Sequence, residues 1–177
     1  SSEWRSNGEK TFDDFLSRFN SNQRKNIKKE RKSITKQDIK VEIFEDDNVN
    51  QEILKKMHNF YEQHCLRWGV WGSKYLTSTF FEKILDNKKN LLLFSAVKKD
   101  SDDIFAMSMC VKNKYNLWGR YWGSQEDISN LHFELCYYQP IEWAIKNSIH
   151  CFDPGAGGKH KRRRGFLAKS TISLHKW

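Results

Sequence analysis

Apolar positions along this chain fall into short blocks whose spacing switches between helical and extended periods. Thr11 is a good N-cap with Asp13 and Asp14 in the turn after it, and Phe12, Phe15, Leu16 and Phe19 follow at helical spacing. That pattern predicts a helix from 12 running on through Ile27 to about Ser33, with a strongly basic second half. Ile39, Val41 and Ile43 alternate with polar residues, the mark of a half-buried strand over 39–45. Over 50–68, Ile53, Met57, Phe60, His64 and Trp68 share a helical stripe that Gly69 ends. Thr77 opens a short helix carrying Phe80, Phe81, Ile84 and Leu85. The runs 91–97 and 104–111 are continuously apolar, as strands buried on both faces are. An aromatic third strand is predicted at 115–123 and a long apolar helix at 131–149. Pro140 lies inside that helix, so it either kinks it or marks the first turn of a helix that starts late. Short strands are expected at 151–153 and 171–174, on either side of a basic, glycine-rich segment. Residues 1–10 are polar and read as a linker or a tail from preceding structure.

The resulting order is helix, strand, two helices, three strands, helix, strand, loop, strand. It predicts an α/β fold with one mixed central sheet flanked by helices. Three consecutive buried strands followed by a long helix and a further strand suit an acetyltransferase-type (GNAT-like) architecture over 11–177.

Composition agrees with one globular domain. The 177 residues are 38% apolar and 14% aromatic, with seven Trp, far from a disordered composition. No apolar run reaches the roughly 18 residues of a membrane span. Cys65, Cys110, Cys136 and Cys151 show neither CxxC pairing nor zinc-ligand spacing, so no metal site is expected and free thiols in a reducing cytoplasm are. The net charge of +9 changes the picture most. It is concentrated at 24–36 and at 159–164, and it points to an anionic, phosphate-bearing partner at one site assembled by folding.

Four segments carry candidate chemistry. On the basic helix, Arg24, Lys28 and Arg31 fall on one face; a solvated face is the plain alternative. In the aromatic strand, Arg120 stands among Trp118, Tyr121 and Trp122, and Gly119 and Gly123 permit a bulge or a close backbone approach. A charge set in aromatics on a central strand needs a partner or a ligand. Backbone N–H groups around Gly119, Tyr121 and Trp122 are candidates to hold an oxyanion. In the segment LHFELCYYQ at 131–139, His132, Glu134 and Tyr137 are polar handles on an apolar helix. Glu134 or His132 could serve as a general base, and Glu134 reads equally well as a buried carboxylate paired with Arg120 or a C-terminal Arg. Finally, Gly155, Gly157 and Gly158 permit positive φ and an anion nest, and Lys159, His160, Lys161 and Arg164 follow in a run without an acid. Its glycine spacing is not that of a P-loop.

The blocks GRYWG at 119–123, LHFELCYYQ at 131–139 and PGAGGKHKRRRGF at 154–166, with FDDFL at 12–16 and RKNIKKER at 24–31, resemble the signature blocks of the FemAB-like peptidoglycan biosynthesis/recognition family of the GNAT superfamily. The resemblance spans nearly the whole chain, in order. It implies transfer of an acyl or aminoacyl group onto an amine acceptor, such as a peptidoglycan precursor. It also implies that this chain is the C-terminal of two GNAT-like halves, with an N-terminal half in the same full-length protein. The stretch 124–130 (SQEDISN) has two acids and no glycine where acetyl-CoA enzymes bind pyrophosphate on helix amides. Aminoacyl-tRNA is therefore the expected donor ahead of acyl-CoA. The competing readings are a noncatalytic RNA-binding module that holds tRNA, and a degenerate half that supports a partner domain.

Overall fold

The computed structural model describes residues 1–67, 69, 74–170, 172 and 174. Its spine is a seven-stranded mixed sheet of order β2-β3-β4-β5-β6-β1-β7. The strands are β1 Ser2–Arg5, β2 Ile39–Glu45, β3 Leu91–Lys98, β4 Ile104–Lys112, β5 Asn116–Ser124, β6 Cys151–Asp153 and β7 Leu167–Ala168. The expected mixed α/β architecture is present. β2 to β5 form an antiparallel meander, whereas β5 and β6 run parallel, in register at Asn116–Cys151, Leu117–Phe152 and Trp118–Asp153.

Both faces of the meander are covered, as the continuous apolar runs require. Leu92, Phe94 and Ala96 of β3 enter one core, with Ile27 and Ile34 of α2 (Ser21–Thr35) and Ile141 of α6 (Gln139–Lys146). Leu91 and Leu93 enter the other, with Met57 and Phe60 of α3 (Gln51–Arg67) and Phe81 of α4 (Ser78–Lys83). Side chains alternate across a strand, so one apolar run supplies both layers. Gly123 sits where β5 crosses α3. A Cβ there would stand 2.1 Å from the Phe60 carbonyl oxygen.

Three expectations are corrected. Residues 1–10 are not a linker throughout: β1 pairs with both β6 and β7, and Trp4 is fully buried. A four-residue polar strand shows too little alternation to be seen in the pattern. The first helix is two helices. Thr11 and Asp14 form a capping box on α1 (Phe12–Leu16), and then Asn20 takes extended backbone angles and accepts from the Gln23 N–H at 2.9 Å to begin α2. Third, the strand expected at 171–174 is replaced by β7 at 167–168, with 171 and 173 outside the described residues, as is Trp68.

Pro140 is accommodated by a change of helical register. α5 (Leu131–Phe133) passes into a π-helical turn, Glu134–Tyr138, before α6 resumes with Pro140 in its first turn. The Gln139 N–H reaches back five residues to the Glu134 carbonyl. Pro140 has no N–H to offer, so the Leu135 carbonyl loses its helical donors. The Ser108 hydroxyl of β4 donates to it at 2.7 Å. Ser108→Ala is expected to cost about 1–3 kcal/mol in denaturant unfolding, the cost of a buried unsatisfied carbonyl. In a Pro140→Ala background, where an N–H returns, the same change should cost less, and equal costs would refute this account.

Candidate functional site

The β5–β6 ladder ends at Trp118 and Asp153, and beyond it the two chains part. A cavity of about 290 Å³ opens there. Tyr61 and His64 reach it from the α3 layer, and His132 and Cys136 from the α5–π layer on the opposite face of the sheet. The opening therefore passes between the two layers through the sheet itself.

Its β5 wall carries a bulge. Tyr121 pairs with Met109 and Gly119 with Cys110, which leaves Arg120 without a partner in β4. The ladder to β6 has already stopped, so Arg120 has no strand partner on either side. The other wall is the turn after β6. There the Gly155 N–H donates to Asp153 at 2.9 Å, and Gly155 holds φ at +90°. The two walls touch backbone to backbone at the base: a Cβ on Gly119 would lie 3.3 Å from Pro154 backbone atoms. The bulge expected from the glycines is thus present, and it brings Gly119, Arg120, Tyr121, Trp122, His132 and Gly155 into one cavity.

Several candidate residues prove to be structural. Glu134 is buried and held by Arg31 at 2.9 Å and by the Gln139 amide at 2.8 Å, while Arg31 also reaches Glu142 at 2.8 Å and lies over the Phe12 ring. Burial works against the Arg31 charge, and the two carboxylates more than offset it, so its pKa is raised. Glu134 as general base is corrected accordingly: Arg31 and Gln139 already occupy its oxygens. Its partner is neither Arg120 nor a C-terminal Arg. Arg164 is not a free phosphate ligand either. It is buried against Glu30, with Nη2 at 2.7 Å, donates from Nη1 to the His160 carbonyl at 3.0 Å, and lies 3.5 Å from the Phe133 ring centre. The Tyr138 hydroxyl shares Glu30 with it. Lys161 is buried too. Its ammonium donates to the carbonyls of Gly155 at 2.7 Å and Ala156 at 3.1 Å, tying down the cavity wall.

The remaining basic candidates divide by helix face. Lys28 meets Asp13 at 2.9 Å in an exposed pair, and Arg24 donates to the Phe19 carbonyl at 3.2 Å. Arg24, Lys28 and Arg31 do share a face, but it turns away from the 159–164 segment. Asn26, Lys29 and Ser33 face that segment instead. Lys159 is exposed, and Gly157 and Gly158 take the positive φ expected of them, at 73° and 89°. Arg120 is exposed at the cavity mouth and needs no buried counter-ion.

Burial shifts several titratable groups in and beside the cavity toward their uncharged forms. Burial, reinforced by His160 and the nearby cations, lowers His132 to about 4. Burial also lowers His160, whose Nε2 lies 2.8 Å from the Tyr137 hydroxyl. It pushes the Tyr137 hydroxyl and the Cys136 thiol up and Cys110 to about 12, so neither thiol ionises at neutral pH. His132 keeps its lone pair at neutral pH but is a weak base. Pattern alone does not mark Tyr61, Ser108 or Cys110, which read as core, whereas Cys136, Pro154 and Ala156 lie within the segments 131–139 and 154–166 already singled out.

The chain matches the FemAB-like family, described as peptidoglycan biosynthesis/recognition, over residues 1–177. It belongs to that family. Among solved structures it resembles L-PGS from Bacillus licheniformis, at 7% identity and a TM-score of 0.58, over 87% of this chain and 45% of that one. A conserved Bacteroides thetaiotaomicron protein of unknown function matches at 10% identity and 0.52, over 92% and 54%. So does the C-terminal domain of an Agrobacterium fabrum protein provisionally named a lysylphosphatidylglycerol synthetase, at 11% and 0.51, over 85% and 44%. These likenesses concern the fold. The chain spans about half the length of the solved structures it matches. No curated protein matches it by sequence.

Two outcomes test this description. Glu134→Ala should cost about 1–3 kcal/mol in denaturant unfolding, because it leaves the Gln139 amide without its acceptor and the partly buried Arg31 with Glu142 alone; a loss of activity at full stability would instead restore Glu134 as the base. The unfolded chain takes up a proton at the ordinary His pKa near 6.5, whereas the native state binds one at His132 only near 4. Stability therefore falls as pH drops from about 6.5 to 4, by up to about 3 kcal/mol. Thermal unfolding of His132→Gln should show a shallower fall over that window.

Proposed function

We propose that this FemAB-like chain is the acyl-transfer lobe of an N-acyl- or aminoacyltransferase, with the through-sheet cavity as its reaction cleft. The observation that carries the reading is the unladdered bulge at Arg120 facing the Pro154–Ala156 turn across a cavity that opens through the sheet. An amine nitrogen attacks the carbonyl carbon of a donor ester, and the carbonyl electrons move onto oxygen. On this reading, backbone N–H groups of the Gly119–Trp122 segment donate to that oxyanion. Collapse of the adduct forms the amide and expels the donor oxygen, which takes up the proton lost by the amine. His132, uncharged and beside Trp122, is the cavity group able to pass that proton. The exposed Arg120 guanidinium meets an anionic part of donor or acceptor at the mouth.

The names of two fold neighbours, L-PGS and a lysylphosphatidylglycerol synthetase, support aminoacyl transfer, and the family description supports an acceptor related to peptidoglycan. An aminoacyl-tRNA donor fits better than acyl-CoA, because the 124–130 turn before the helix carries Glu126 and Asp127 where a pyrophosphate would lie. On this reading the chain works beside an N-terminal half of the same full-length protein.

Arg120→Ala in the full-length protein is expected to raise KM for the anionic substrate about tenfold, with kcat changed less. Unchanged KM and kcat in a transfer assay with aminoacyl-tRNA and a lipid-linked peptidoglycan precursor would remove Arg120 from the site. Absence of transfer with any acyl or aminoacyl donor would overturn the reading.

A further inference from the structure

A second site lies outside the transfer cavity. α2 and the 159–164 segment, a 3-10 helix, face each other across an open groove of about 680 Å³. The walls are fastened at their base, where the Gln23 amide donates to the Arg163 carbonyl at 2.7 Å and Arg164 pairs with Glu30. Lys29 projects from one wall, and Lys159 and Arg163 from the other. All three are exposed, and none forms an ion pair among the described residues. Glu30 is the one carboxylate lining the groove, and Arg164 and Tyr138 already occupy it. The groove thus presents three uncompensated positive charges, converging from two segments more than 120 residues apart in sequence. Neutral donors stand between them: Asn26 is exposed, and the Asn130 amide donates to Ser33 at 3.1 Å, holding it at the groove wall. Like charges held this close repel, and a shared anion relieves the repulsion.

We infer that this groove binds a compact diphosphate, as the free ion or as the diphosphate of a small molecule. Two observations favour that over a nucleic-acid backbone. The cations sit on opposing walls, which suits clasping one dianionic group. Of the other basic residues of α2, Lys28 and Arg31 do not extend them, because they turn to the far face and pair with Asp13, Glu134 and Glu142. The site goes beyond the transfer reading and stands without it, since the Phe133–Tyr137–His160 aromatic layer separates groove from cavity.

Calorimetric titration of the full-length protein with inorganic pyrophosphate, a nucleoside diphosphate, orthophosphate and a single-stranded RNA at low salt tests this. Pyrophosphate or the nucleoside diphosphate should bind more tightly than orthophosphate. Lys29→Ala, Lys159→Ala and Arg163→Ala should each weaken binding about tenfold, and Lys32→Ala, on the other helix face, should leave it unchanged. Tighter binding of the nucleoside diphosphate would identify the small-molecule source, and equal binding the free ion. Diphosphate binding that is no tighter than orthophosphate, or that ignores the three substitutions, overturns the inference. So does RNA that binds more tightly than either diphosphate and is lost with the same substitutions. Transfer that survives loss of the site, assayed in parallel, leaves the transfer reading standing, and a failed transfer assay with intact diphosphate binding does the reverse.

Discussion

Glu30 and Arg31, adjacent on α2, point to opposite sides of the helix, and each is locked into a partly buried ion pair with a different part of the chain. Arg31 fixes α2 to the π turn and α6 through Glu134 and Glu142. Glu30 fixes it to the 159–164 segment through Arg164. Removing one partner of such a pair leaves a charge stranded away from water, which costs far more than the pair itself contributes. The placement of the basic helix, and with it both walls of the groove, follows from these two contacts. Three cations of the two basic segments, Lys28, Arg31 and Arg164, are thus matched by carboxylates of the chain itself.

The through-sheet cavity depends on a different constraint. Parallel strands stay together only while their ladder lasts, and here it lasts three residue pairs. Gly119 and Gly155 let the backbones touch at the point of parting, and Lys161 holds the β6 side in place from behind. A mobile ammonium donating to two carbonyls is an unusual brace, but burial leaves it few alternatives. The wall that faces the Gly119–Trp122 segment is therefore tied down by a buried side chain.

Much of this was legible in the sequence. The doubly buried strands, the capping box at Thr11 and the bulge near Gly119 all follow from local pattern or turn chemistry, which act over a few residues. What local pattern does not carry is the pairing of distant charges. A run such as Lys161, Arg162, Arg163, Arg164 looks uniform, yet the first and last are buried and the middle two exposed, because a 3-10 turn brings every third residue to the same side. Likewise Arg24, Lys28 and Arg31 do share a face. Only the tertiary position of α2 decides that this face meets carboxylates. β1 escaped notice because Ser2–Arg5 has almost no periodicity of its own and gains its place from two partners near the other end of the chain.

The π turn at Glu134–Tyr138 has one more consequence. A turn of this kind accommodates one residue more than an α-helical turn, so the side chains before it are rotated by about 100° relative to those after it. His132 can therefore face the cavity while Ile141 and Ile145, further along the same helical run, stay in the core. The proline and the serine hydroxyl that maintain the turn act as a phase setting for the helix. They determine which residues of the helix the cavity meets.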